Sequence, residues 1–281
     1  MPNGWSVISN GREKPATKGS DGWTTFHWEE LNRIATYLTT VGIDRWTFER
    51  STGPGGVPVV SAYAPGAGDK REVESRLPEI LAFLASKFGP HPQSAAGGIY
   101  INEDIGFSME TQGRPTYAAW ADLPTVVHEN AHMWYGNSVS VQSWADICLN
   151  ECFASYAQWL WDEAKEGVDL DDQYRQNVAD VDDKFWSGKL YDMGAGNEFT
   201  SVYDKGPMAM HALRRLIGDD AFNRILKDWA ADHKDGNASW PEFEKFVEDV
   251  TKKDLSAFFV AWFHSDTRPA DEFLYPGSLR K

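Results

Sequence analysis

The chain has 281 residues, 42% of them hydrophobic, which is enough to bury a sizeable core in one catalytic-size domain with a fragment of another. A formal charge of −15 and a pI near 4.8 argue against non-specific nucleic-acid binding and modestly favour the approach of cationic peptides. No run approaches the roughly 20 apolar residues of a membrane span, and the N-terminus lacks a basic segment followed by an apolar stretch, so no export signal is expected.

In chain order, Trp23-Thr24-Thr25-Phe26-His27-Trp28 reads as an aromatic-rich extended segment whose partner strands are expected to lie outside the chain. Strands are predicted at Tyr37-Leu38-Thr39-Thr40-Val41 and from Val57 to Tyr63, parted by the Gly53-Pro54-Gly55-Gly56 turn. Val73, Leu77, Ile80, Leu81, Leu84 and Phe88 recur at helical spacing and predict an amphipathic helix ending at Gly89-Pro90. Strands at Ile99 and Met109 follow. Beyond Asp122 the pattern is helical, with segments over 122–135, 144–165, 170–187, 204–217, 219–233, 240–250 and 254–264. This order predicts an α+β fold: a mixed-sheet N-terminal lobe followed by a helical C-terminal lobe.

The segment over 122–135 carries His128-Glu129-Asn130-Ala131-His132. Residues four apart share one helix face, about 6 Å apart along the axis, so two imidazoles at this spacing can hold one tetrahedral ion. Glu129, on the turn between them, is the candidate general base, placed to take a proton from metal-bound water. Leu123, Val126, Val127, Ala131 and Trp134 give the segment a buried apolar face, and Gly136-Asn137 is a stop signal. The alternative is a pair of hydrogen-bonded core histidines with Glu129 solvated. Eighteen residues beyond His132 comes Asn150-Glu151, on a second helix, whose carboxylate is the candidate third ligand.

The runs H-E-N-A-H-M-W-Y-G-N-S-V, W-A-D-I-C-L-N-E-C-F-A and V-Y-D-K-G-P resemble the aminopeptidase N family of gluzincin zinc metallopeptidases, which also includes leukotriene hydrolase. That resemblance implies one Zn2+ held by His128, His132 and Glu151, with Glu129 as base. Tyr203, which by itself reads as an aromatic at a helix start, takes the place of the family's oxyanion-stabilising tyrosine. The family strand G-x-M-E-N, whose glutamate binds the substrate's free amino group, is matched imperfectly by Gly106-Phe107-Ser108-Met109-Glu110-Thr111: the glycine is one residue early and threonine replaces asparagine. Exopeptidase character rests on Glu110, which otherwise reads as a solvated strand-edge glutamate.

The implied architecture is a thermolysin-like catalytic domain over 31–281, with 1–30 as the remnant of a β-rich saddle domain whose remainder precedes the chain. The implied activity is hydrolysis of the N-terminal peptide bond of peptides. A zinc endopeptidase, an epoxide hydrolase of leukotriene-hydrolase type and a non-catalytic interaction domain are the alternatives. The expected setting is extracytoplasmic or secreted, and bacterial.

Other features are expected to be structural. Cys148 and Cys152, four apart, form no disulfide framework and are expected to pack as small apolar residues. The aspartates between Asp162 and Asp183 lack calcium-loop spacing and read as a solvated helical face. His211 is expected to be a hydrogen-bonded core histidine, and Met193-Gly194-Ala195-Gly196-Asn197 a loop without the residues of a phosphate site.

Overall fold

A computed structural model describes residues 1–280; position 281, the last of the expected catalytic domain, lies outside the described residues. The fold is α+β, and the chain divides into two compact units, one formed by 1–86 with 90–138 and the other by 87–89 with 139–281.

The first unit is built on a four-stranded mixed sheet. Thr47–Thr52 pairs antiparallel with Pro58–Tyr63, which runs parallel to Ile99–Tyr100, itself parallel to Thr116–Tyr117. Val59, Val60, Ala62 and Tyr63 are all buried, so the Pro58–Tyr63 strand is covered on both faces as its apolar run requires. Two antiparallel ribbons lie outside this sheet: Ser6–Ser9 with Val41–Asp44, and Arg12–Lys18 with Thr24–Glu29.

The second ribbon corrects the expectation of missing partners, because the aromatic strand finds its partner a few residues upstream. Arg12–Lys18 is exposed along its whole length. With no apolar alternation to reveal it, such a strand is invisible to pattern reading. Tyr37 to Val41 is likewise not one strand: Thr36–Leu38 forms a 3-10 turn that buries Leu38, and the strand begins at Val41. Met109 makes only a single antiparallel bridge, to Thr116.

Arg114 ties this unit together. Its guanidinium is fully buried, donates to the carbonyls of Val60, Ser9 and Gly11 at 2.9, 2.9 and 2.6 Å, and lies over the Trp28 ring. Burial lowers its pKa to about 10 despite the nearby carboxylates of Glu13 and Glu30.

The second unit is largely helical, with a short parallel pair between Val139–Val141 and Gly236–Ala238. The expected 144–165 helix is a 3-10 turn at Trp144–Asp146, an α-helix at Cys148–Trp161 and a π-turn at Asp162–Glu166 that ends on left-handed Gly167. The expected 170–187 helix breaks into Leu170–Asp180 and Asp183–Trp186, the second capped by the Asp182 side chain. The Lys205–Ile217, Asp219–Asp232 and Trp240–Thr251 helices fall where predicted.

His211 is a core histidine, as expected, but Asp171 does not belong to a solvated face. His211 bridges the Tyr156 hydroxyl and the Asp171 carboxylate at 2.9 Å each, and Asp171 also accepts from Arg215 at 2.5 Å and Ser278 at 2.6 Å. Burial alone would raise the Asp171 pKa, but the hydrogen bonds from Ser278, Arg215 and His211 outweigh it and hold the value at about 2, below 3.8. Burial lowers the pKa of His211 from 6.5 to about 4, against the pull of Asp171.

Both shifts act in the same direction on stability. A histidine whose folded pKa is depressed costs stability as acid protonates the unfolded chain first, so this contribution is complete above about pH 6.5 and is lost as pH falls to about 4. The Asp171 contribution is complete above 3.8 and is lost as pH falls to about 2. The melting temperature should therefore decline in two stages on acidification, and His211→Phe should flatten the first stage; an unchanged slope between pH 6.5 and 4 in that variant would contradict this.

Candidate functional site

In the first unit the Asp122 side chain accepts from the Thr125 backbone N–H and Pro124 occupies the first turn, which starts the Leu123–Ala131 helix. The helix was expected to reach residue 135. It tightens instead at its end, where Met133 and Trp134 donate to carbonyls three residues back. The turn still leaves His132 beside His128.

The two imidazoles meet at Nε2, 3.1 Å apart, with ring planes at 78°. The other nitrogen of His132, Nδ1, lies 3.0 Å from the Tyr135 carbonyl. A carbonyl only accepts, so this contact places the His132 proton on Nδ1 and turns the Nε2 lone pair toward His128. Two imidazole nitrogens facing each other at this distance can share a proton or supply two donors to one cation.

Glu129 and Glu110 join them. One oxygen from each carboxylate and one nitrogen of His132 all lie within 4.8 Å of one another, and all three residues are buried. Glu110 is therefore no solvated edge residue. Its backbone carbonyl accepts from the Asn137 side chain at 2.8 Å, and the flanking Met109 exchanges backbone bonds with Thr116 at 2.9 and 2.8 Å. Thr111, standing where the family pattern has asparagine, is used in the adjacent turn, with its hydroxyl 2.9 Å from that of Thr116.

Three residues with no site role expected from the sequence also shape this region. Asn137 joins the end of the histidine segment to the Glu110 backbone, while Asn130 donates to the Tyr117 hydroxyl at 3.0 Å from the helix between the two histidines. Burial, with Glu74 and Glu129 nearby, raises the Tyr117 pKa well above 10, so its phenol stays protonated. The asparagine in H-E-N-A-H was the available signal, since a buried amide needs partners.

Glu151 and Tyr203 belong to the second unit. Glu151 is buried in the first turn of the Cys148–Trp161 helix, where its N–H donates to the Ile147 carbonyl at 3.0 Å. His128 and His132 of the first unit and Glu151 of the second are of the donor types, imidazole and carboxylate, that a borderline divalent cation takes.

Tyr203 is 44% exposed, with its ring nearly parallel to that of Phe199 at 6.4 Å, and it lines a cavity of about 370 Å³ with Trp159, Phe185 and Met208. The Lys-Gly that follows it explains the local fold. Fully buried Lys205 donates through Nζ to the carbonyls of Gly188 at 2.6 Å and Trp186 at 3.4 Å. Burial lowers the Lys205 pKa to about 8 against the opposing effect of Asp266. Gly206 lets its helix approach the Cys148–Trp161 helix, since a Cβ there would lie 2.6 Å from the Cys152 sulfur.

The cysteines correct another expectation. Cys148 and Cys152 are joined in a disulfide inside one helix. Side chains four apart share a helix face, so a single bridge can form without the multi-bridge framework of small secreted domains.

The Peptidase family M1 domain matches residues 119–262. Among curated relatives, the chain is 23% identical to "Probable aminopeptidase 1" of Saccharolobus solfataricus, over 93% of this chain and 37% of that protein. It is 31% identical to "Aminopeptidase A" of Gloydius brevicauda, over 92% of this chain and 30% of that protein. The chain thus spans about a third of the length of these relatives. Its fold is also that of an M1 zinc metallopeptidase from Deinococcus radiodurans, with a TM-score of 0.86 and 25% identity over 96% of this chain and 62% of that one.

Proposed function

The chain belongs to peptidase family M1, and we propose that it carries the catalytic centre of a zinc aminopeptidase that hydrolyses the N-terminal peptide bond of peptides. The observation that carries this reading is the buried convergence of Glu110, Glu129 and His132, which puts a second carboxylate beside the candidate base. A general base alone requires one; a second buried carboxylate suits an ammonium group.

In this reading His128, His132 and Glu151 would hold the zinc. When bound, zinc polarises the substrate carbonyl and acidifies the attacking water. Glu129 takes a proton from the attacking water and passes it to the leaving nitrogen. Glu110 pairs with the α-ammonium group and fixes the bond to be cut as the first in the peptide. The Tyr203 hydroxyl donates a hydrogen bond to the oxyanion as the carbonyl carbon becomes tetrahedral. Protonated Tyr117 and Asn130 support the helix between the two histidines.

Tyr203→Phe should lower kcat by about 100-fold or more with little change in KM, because the lost hydrogen bond forms mainly in the transition state. An effect confined to KM would remove Tyr203 from this role. The reading as a whole is tested with matched aminoacyl-peptides bearing free or acetylated N-termini, assayed with the wild type and Glu110→Gln. Cleavage of the free-amine substrate alone, strongly weakened in Glu110→Gln, is the expected result. Equal cleavage of both substrates would make the chain a zinc endopeptidase without an amine anchor.

A further inference from the structure

Both cysteines of the chain flank Glu151, at positions 148 and 152, and are fully buried. Their Cα atoms are 4.7 Å apart, whereas residues four apart in an ideal α-helix are separated by about 6 Å. The cross-link therefore spans a shortened turn with Glu151 inside it. Asn150 and Glu151 both donate to the single carbonyl of Ile147, at 2.9 and 3.0 Å, and the fully buried Asn150 amide has no hydrogen-bond partner among the described residues. On its other side Cys152 packs directly on Gly206, two residues after Asp204 and three after Tyr203.

We propose that the Cys148–Cys152 disulfide is a positioning element for the metal site: a covalent staple that holds Glu151 as a donor and fixes the contact on which the Tyr203 segment is seated. The inference rests on the donor assignment made above. Forming the bond takes two thiols to a disulfide with loss of two protons and two electrons, accepted by a small oxidised disulfide that becomes two thiols. Such a cross-link persists in an oxidising environment. Without it, two thiol sulfurs cannot remain at bonding distance, so the turn lengthens toward ideal helix geometry, carrying Glu151 with it and pressing Cys152 against Gly206. Elements that orient a metal ligand typically change affinity 10–100-fold when lost.

The test uses the full chain. Alkylation of the unfolded, unreduced protein should add nothing to either cysteine, and prior reduction should allow both to react; two reactive thiols without reductant would overturn the inference. Zinc affinity is then measured by competition with a chromophoric chelator for the stapled chain, for Cys148→Ala/Cys152→Ala, and for wild type refolded in a phosphine reductant, which serves should the double variant not fold. The expected result is zinc binding about tenfold or more weaker in the unstapled forms, with the variant indifferent to reductant. Unchanged affinity in a folded, unstapled chain would overturn the staple alone. Failure of the stapled chain to bind zinc would overturn the donor assignment, and the inference with it.

Discussion

Glu129→Gln is expected to lower kcat/KM by about three orders of magnitude while leaving a bound zinc in place, the range observed when a positioned general base is removed. The substitution keeps the shape of a side chain that lies within 4.8 Å of Glu110 and His132, and removes only its capacity to accept a proton. It also leaves both imidazoles and Glu151 untouched. Metal content and turnover should therefore separate: zinc retained, hydrolysis lost. Loss of zinc together with activity would make Glu129 a ligand rather than the base, and retention of wild-type turnover would remove it from the mechanism.

The largest effect on stability is expected away from the chemistry, at Arg114. Arg114→Met removes the donors to the carbonyls of Val60, Ser9 and Gly11, and the bonds to Val60 and Gly11 are buried. A buried acceptor without a partner costs about 1–3 kcal/mol. Against this, the variant no longer has to bury a charge that lacks a directly bonded carboxylate, an effect visible in the lowered pKa of about 10. The net loss is expected to be on the order of 3 kcal/mol, lowering the melting temperature by roughly 5–10 °C. Calorimetry checks this, and a variant melting with the wild type would show that the N-terminal ribbons are not held through this side chain. Because Arg114 follows Glu110 by four residues, a loosened variant should also bind free-amine substrates more weakly.

The candidate metal-binding segment is legible because its chemistry is local. Imidazoles four apart on a helix, an acid between them and a carboxylate on the next helix need only sequence spacing to be recognised. The buried character of Glu110 was not local. It depends on Asn137, 27 positions away, holding the Glu110 carbonyl, and on the Met109–Thr116 bridge.

The same distinction separates the strands. Pro58–Tyr63 stands out because it is apolar and covered, whereas Arg12–Lys18 is a solvent-facing polar ribbon fixed only by the backbone of its neighbour. The roles of Lys205 and Gly206 emerge only when helices pack, since one anchors to loop carbonyls and the other makes room for a sulfur. The cysteine pair was visible as spacing, yet its meaning required seeing that the helix turn is short enough for the two sulfurs to join.

The most direct test of the metal centre is X-ray absorption at the zinc edge on the metal-loaded wild-type chain. A shell of nitrogen and oxygen alone, carrying the multiple-scattering signature of two imidazoles, is the predicted result, from His128, His132 and the Glu151 carboxylate. A sulfur shell from Cys148 or Cys152, or a spectrum with no imidazole contribution, would contradict the assignment and the catalytic reading built on it.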